Sequence, residues 1–490
     1  LAALSDLLYL EVAMKFWSWL LILGMGLATA ASAQTYVSGI VFGIWSADGN
    51  PYVVEDDLIV PADKTLRINE GVHLYFVAND SLSVYGRLTV AGTPENPVTF
   101  ECHSLNQNQW KGIYFKAGAM NDGEIAYAVI TGSFVGVSVS YSNAGVNHSS
   151  IVAKARGFDL MYANGYFTDN DIECQFLSAT GIYMVKSSAK LIRNDISVVS
   201  TNIEFPSYGI NANYCQDAAI DYGQIHIEGA GDLYGIRFEN SDNIRMIFNV
   251  IESFSQYVSS GIYAIDSYHP MIRNNTVATA SPGIDKAILC VNSHPTITNN
   301  ILAGNGDDGS IGIYCDDANP IISFNDLWNH GINYQGCPPG DHDIWLDPLF
   351  VGGIPFDYHL TPESPCIDTG NPIYFDPDGT RSDMGAYYYP QVSVPEPSNP
   401  SLPTEHRLLA GYPNPFNSDT MIPFVVSQRT LVTIDVLNVL GQTVARLLDA
   451  EVDAGEYRLP WSAGMLPSGV YFCRMSAGNS VFHQRLILLR

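Results

Sequence analysis

Apolar and polar residues alternate at period two along most of this chain, in short runs that Gly, Asn, Ser or Pro interrupt before a helical period is established. Runs such as DLIV, KTLRI, HLYFVA and SLSVYGRLTV between Gln34 and Glu101 predict strands separated by turns. The clearest organisation lies between Met271 and Asn329, where MIRNNTVATASPGIDKAILC, TITNNILAGNGDDGSIGIYC and IISFNDLW are one unit written repeatedly. Asn275, Asn300 and Asn325 each precede an apolar residue by two positions, and Cys290 and Cys315 close equivalent strands. The period is about 25 residues, which is that of a solenoid.

Two columns extend the unit along the chain. A Gly-Ile-like pair recurs at Gly112-Ile113, Gly136-Val137, Gly157-Phe158, Gly181-Ile182, Gly209-Ile210, Gly235-Ile236, Gly261-Ile262, Ala287-Ile288 and Gly312-Ile313. An Asn column runs Asn170, Asn194, Asn249, Asn275, Asn300 and Asn325, skipping the turn near Asp221. Equivalent residues of adjacent coils lie about 4.8 Å apart in a parallel β-solenoid, so like stacks on like. The apolar column then fills the interior, and the asparagines form an amide ladder that explains them without a ligand. Absence of a Leu-x-x-Leu-x-Leu spacing argues against a leucine-rich horseshoe.

The order IVPADKTLRINEGVHLYF, GRLTVAGTPENPVTF, WKGIYF resembles the N-terminal part of bacterial surface proteins with right-handed parallel β-helix repeats. NDLWNHGINYQG, DIWLDPLF, DYHLTPESPCIDTGNP and DPDGTRSDMGAY resemble the closing module of the same family. Such a cap meets a physical need, because an open last coil presents unpaired backbone groups. After a stretch punctuated by Pro395, Pro397, Pro400 and Pro403, the segments YPNPFN, VLNVLGQ, Trp461 and SGVYF resemble the C-terminal sorting domain of type IX secretion cargo. That resemblance implies an Ig-like β-sandwich and passage through the outer membrane.

The resulting expectation is an all-β protein: a right-handed parallel β-helix followed by a small Ig-like β-sandwich. Residues 1–13 read as a gene-start artefact, and residues 14–33, with one Lys, an apolar run and Ala-Ser-Ala, read as a signal peptide. The β-helix with its N-terminal cap is expected over 34–330, an acidic cap over 331–390, a Pro-rich linker over 391–405 and the sorting domain over 406–490. No transmembrane segment is expected in the mature chain, and the location is secreted or at the cell surface. The secretion machinery of the outer membrane is then one partner.

Composition narrows function. The 490 residues carry 23 basic against 50 acidic side chains, a formal charge of -27, which argues against nucleic acid as a partner. Eight cysteines show no zinc spacing. Cys290 with Cys315 reads as a stacked pair of buried thiols, with a disulfide as the alternative, and Cys337 with Cys366 is a second candidate pair.

Candidate chemistry is sparse. Asp307 and Asp308 resemble the paired carboxylates of galacturonan hydrolases but lack that family's companion segments, and Arg237 is the remaining weak catalytic candidate. The outward position after each Gly-Ile pair reads Tyr114, Ser138, Asp159, Tyr183, Asn211, Arg237, Tyr263, Leu289 and Tyr314. Its aromatic and hydrogen-bonding members, Tyr114, Asp159, Tyr183, Asn211, Arg237, Tyr263 and Tyr314, form a candidate carbohydrate surface. Asp376, Asp378 and Asp383, with Thr380, have oxygen chemistry suited to calcium, the one cofactor suggested. The favoured function is a non-enzymatic binding or adhesion module for extracellular glycan. The alternatives are a lyase or glycoside hydrolase acting on acidic polysaccharide, and a structural surface-layer element.

Overall fold

A computed structural model describes residues 34–391 and 406–489, apart from residues 78, 103–108, 118–122, 410, 412–413, 415, 417–418, 440, 453–454, 464–465 and 479. The expected artefact, signal peptide and nearly all of the linker lie outside the described residues. By compactness the chain forms two units, one of residues up to 296, 302–321 and 329–338, the other of 297–301, 322–328 and 339–490.

The first unit is a parallel β-solenoid. On one wall the strands Ala128–Ser140, Ser150–Met161, Thr180–Val185, Ser207–Asn213, Asp232–Glu239, Val258–Ile265, Ile284–Val291 and Ile311–Asp316 pair in parallel, each with the strand one coil on. A second wall pairs Asp171–Phe176, Asp195–Ser200, Gln224–Gly229, Val250–Ser255 and Thr276–Ala280 in the same way. The third is a 12-stranded sheet with one short strand per coil. The parallel ladder continues past residue 330, because Ile332–Gln335 pairs with Ile311–Asp316.

Ile182, Ile210, Ile236, Ile262, Ile288 and Ile313 are all buried, which forces their neighbours on the first wall outward. The Gly that precedes this position on most coils has a packing cause. A Cβ on Gly157, Gly181, Gly209, Gly235 or Gly261 would sit within about 2.4 Å of a methyl of Ile172, Ile196, Ile225, Ile251 or Val277 on the facing wall. Toward the N-terminal end, Trp110 is fully buried and stacks on Phe76 at 4.0 Å while its indole N–H donates to Thr131 O at 2.8 Å.

Turns between walls are left-handed at single residues, including Asp169, Arg193, Tyr222, Phe248 and Asn274. The buried asparagine that follows such a residue bonds across coils. Asn170 Nδ2 donates to Asn194 Oδ1 at 2.9 Å, and Asn249 Nδ2 donates to Asn275 Oδ1 at 2.9 Å. At the skipped turn stands Gly223, whose N–H still donates to Asn249 Oδ1.

In the second unit Asn300 Nδ2 donates to Asn325 Oδ1 at 2.9 Å. Residues 339–391 are irregular, and Leu360, Cys366 and Met384 pack with Ile301 in a small core. Asn299 ties this segment down, accepting the Asn371 N–H at 2.6 Å on its side chain and the Gly385 N–H at 2.7 Å on its carbonyl. The C-terminal segment forms two antiparallel sheets, of three and four strands, around Phe424, Val432, Ile434, Trp461, Tyr471, Met475 and Leu486.

Candidate functional site

The outward positions of the first wall lie in unbroken register. Tyr114 pairs with Ser138, and Ser138, Asp159, Tyr183, Asn211, Arg237, Tyr263, Leu289 and Tyr314 follow one coil at a time. Tyr183, Tyr263 and Tyr314 are half-buried, because residues on either side of the column rise around them.

Those flanking residues complete the surface. Tyr208 and Tyr234 precede the Gly of their coils, and Glu239 and Asn213 follow the central column by two positions. Arg237 is the hub: Nη1 donates to Asn211 Oδ1 at 3.2 Å and Asn213 Oδ1 at 3.1 Å, and Nη2 to Glu239 Oε2 at 2.6 Å. Tyr208 stacks on Tyr234 at 5.4 Å, and Tyr234 on Tyr263 at 5.6 Å. Further along the column, Arg156 bonds Asp159 at 3.0 Å and lies 4.3 Å over the Tyr183 ring, and Lys286 lies 5.6 Å from the Tyr314 ring.

Burial sets the protonation of this face. It pushes the Tyr234 phenol up to about 12, with Asp232 adding to the effect, and raises Tyr208 and Tyr263 in the same direction. Burial lowers Lys286, against the pull of Asp285 and Asp232. The sequence reading missed Tyr208, Tyr234 and Glu239 because it followed one position per coil; period two would have found Glu239 on the same face as Arg237.

The weak catalytic candidates do not come together. Asp307 and Asp308 are exposed in a turn, where Asp307 Oδ2 accepts from Asn305 Nδ2 at 2.8 Å and the Asp307 carbonyl from the Ser310 N–H at 2.9 Å. Arg237 is on the strand wall.

A Ser, a His and an Asp do meet nearby, where the sequence showed no such arrangement. Ser310 Oγ is 2.9 Å from both Asp285 Oδ2 and His330 Nδ1, and His330 Nε2 is 3.1 Å from Leu302 O. The Ser310 hydroxyl and Asp285 are fully buried and His330 is half-buried, so the trio is part of the packing between coils. Burial pushes His330 down to about 4, which keeps the imidazole neutral at pH 7, and raises the Asp285 carboxyl.

In the second unit the oxygens of Asp376, Asp378 and Asp383 accept backbone amides. Asp376 Oδ2 takes the Asp383 N–H at 2.8 Å, Asp383 takes Asp368 and Tyr389, and Asp378 takes Thr380 and Gln391. Burial raises both Asp376 and Asp383, with the Asp383 charge adding to the effect at Asp376 and the Asp368 charge at Asp383. Among the described residues no group of three or more His, Cys, Asp or Glu is placed to hold a metal ion.

The cysteine pairing expected in irregular sequence needs correction. Cys366 Sγ lies against Asp326 Oδ2 at 3.3 Å, whereas Cys337 is hydrogen-bonded to Cys315 in the other unit. Cys290 and Cys315 are register partners, buried, and free thiols.

Residues 174–337 match the family described as right handed beta helix region, and residues 410–489 match the secretion system C-terminal sorting domain. The chain is an exported β-helix protein. Its sorting domain directs it to the cell surface or the extracellular space, and implies contact with the secretion machinery. Among the described residues no helix is long and apolar enough to cross a membrane.

Solved structures similar to this chain include the periplasmic alginate epimerase AlgG, at 15% identity over 61% of this chain and 76% of that chain, TM-score 0.35. The Azotobacter vinelandii mannuronan C-5 epimerase AlgE6 A-module is 13% identical over 61% of this chain and 92% of that chain, TM-score 0.35. An alginate lyase from a Paenibacillus species is 13% identical over 56% and 92%, TM-score 0.25. Likeness this distant carries no argument about activity. No curated protein matches the chain.

Proposed function

We propose that this exported β-helix is a non-enzymatic glycan-binding or adhesion module, and that the Tyr, Asn and Arg face of its first wall is the binding surface. The observation that carries the reading is the registered column from Tyr114 to Tyr314, which presents a hydrogen-bonding side chain at every coil but that of Leu289. A linear polymer of repeating hydroxyls is the ligand such a surface suits. The two carboxylates paired with arginine on this face also fit a binding role: Asp159 and Glu239 are each held by a guanidinium, so neither is placed as a free general acid or base.

A glycan array probed with the secreted protein tests this, followed by a product assay on acidic polysaccharides with and without calcium. The expected result is binding without cleavage. Unsaturated or reducing ends released from any polymer would replace the binding reading with an enzymatic one, and failure to bind any glycan would remove it.

A further inference from the structure

We infer that the ligand of this face is a neutral, hydroxyl-rich polysaccharide lying along the solenoid axis, and not a polyuronate or sulfated glycan; the inference rests on the binding reading above. Charge compensation argues it first. Arg156 is bonded to Asp159 at 3.0 Å and Arg237 to Glu239 at 2.6 Å, so each guanidinium of the face already has its anion. At these two positions a carboxylate from a ligand would have to displace the resident anion and would leave it facing the ligand, a like-charge contact that disfavours the anionic partner, and Lys286 already feels the charges of Asp285 and Asp232. The overall charge of -27 opposes the approach of a polyanion at long range as well.

Ring geometry argues the same way. Tyr208, Tyr234 and Tyr263 are stacked on one another, with interplanar angles of 18° and 26°, so their inner faces are occupied by each other. Edges and hydroxyls remain for a ligand. Because burial holds these phenols protonated, each both donates and accepts, as a sugar hydroxyl does, whereas a carboxylate or sulfate only accepts. Asn211 and Asn213, whose carbonyl oxygens face Arg237, add amide N–H donors beside them.

Repeat distance supplies the orientation. Adjacent coils are about 4.8 Å apart, close to the length of one hexopyranose in an extended chain. A polysaccharide running along the axis therefore meets one registered position per sugar, and its affinity grows with chain length.

The test uses the full secreted protein, titrated calorimetrically with cellohexaose, mannohexaose and xylohexaose, their disaccharides, and polygalacturonate and alginate, at low and high ionic strength. The expected result is binding of at least one neutral hexasaccharide, tighter than its disaccharide, with a Kd that changes less than about twofold with salt. Tyr234→Phe, which keeps the ring stack, should weaken it about fivefold or more. Glu239→Gln should release Arg237 and raise polyuronate affinity about tenfold; circular dichroism confirms that both variants fold. Tight polyuronate binding by the wild type that falls steeply with salt and is lost in Arg237→Ala would overturn the neutral assignment while leaving the face a glycan site. Binding of no saccharide at all would overturn both readings.

Discussion

Asp343 Oδ1 accepts both the backbone N–H of Asn325, at 2.7 Å, and its side-chain Nδ2, at 3.1 Å. Asn325 in turn offers its Oδ1 to the backbone N–H and Nδ2 of Asn300 at 3.0 and 2.9 Å. This part of the ladder thus ends on a carboxylate, a stronger acceptor than the amide it replaces. Asp343→Ala should leave the buried Asn325 backbone N–H unpaired, while Nδ2 keeps Ile297 O and Ser323 O, and cost about 1–3 kcal/mol, with Asp343→Asn milder because it keeps an acceptor. Chemical denaturation of the two variants measures the difference; equal losses would mean the carboxylate charge contributes nothing at this end.

At Gly223 the ladder lacks a side-chain rung. The residue lines a small internal cavity with Leu191, Asn194, Ile196, Ile210, Ile220 and Ile225. A Cβ there would lie 3.2 Å from Asn249 Oδ1 and 3.3 Å from Asn194 O, tight by a few tenths of an ångström. Gly223→Asn should therefore extend the amide column and raise the melting temperature, by an amount corresponding to about 1 kcal/mol. Gly223→Ala supplies only the loss of unfolded-chain freedom, about 0.5 kcal/mol. If the Asn variant is no more stable than the Ala variant, side-chain laddering does not stabilise this turn.

The two columns were legible in the sequence because a solenoid imposes the same constraint on every coil: Gly181 faces Ile196 as Gly209 faces Ile225 and Gly235 faces Ile251. Contacts made once leave no such trace. Asp343 under Asn325, Cys337 beside Cys315, and Asp285 with Ser310 and His330 join residue types that form no column along the repeats. The candidate surface was legible in part, since Arg237 and Tyr263 fall in a column. Its charge balance was not, because Glu239 and Asp159 acquire meaning only through the side-chain directions that pair them with Arg237 and Arg156.

Asp326 is fully buried, with Oδ1 accepting the Leu346 N–H at 3.1 Å and Oδ2 facing the Cys366 thiol at 3.3 Å. Burial pushes its carboxyl up to about 7, with Asp347 and Asp343 acting in the same sense. A carboxyl whose folded pKa lies above its unfolded value of 3.8 binds its proton more tightly when folded. Its contribution to stability is complete below about pH 4 and is lost as pH rises through about 7. Melting temperatures of wild type and Asp326→Asn should diverge between pH 5 and pH 8, to the advantage of the variant at the upper end. Parallel curves would show that Asp326 does not titrate in this range.

In the sorting domain, Asp435 stands directly opposite Arg446 on one neighbouring strand and Arg474 on the other. Its carboxylate is nearly fully buried and bonds the two guanidinium groups at 2.9 and 2.6 Å. Burial alone would raise the group, but the two arginines outweigh it and hold the carboxyl below its ordinary value. The stabilisation is therefore present at neutral pH and lost as pH falls below about 4 through that depressed value. Asp435→Ala strands two cations over a covered site, and the domain should lose about 2–4 kcal/mol, near the lower range for a buried pair because Arg446 is half exposed. Removing residues 406–490 should leave the protein in the periplasm, which sets the baseline for an export assay. Asp435→Ala should fall between that baseline and wild type, and be recovered by growth at lower temperature, if export reads the folded sandwich. Full export of a variant shown to be destabilised would mean that the machinery reads a surface of the domain that survives its loosening.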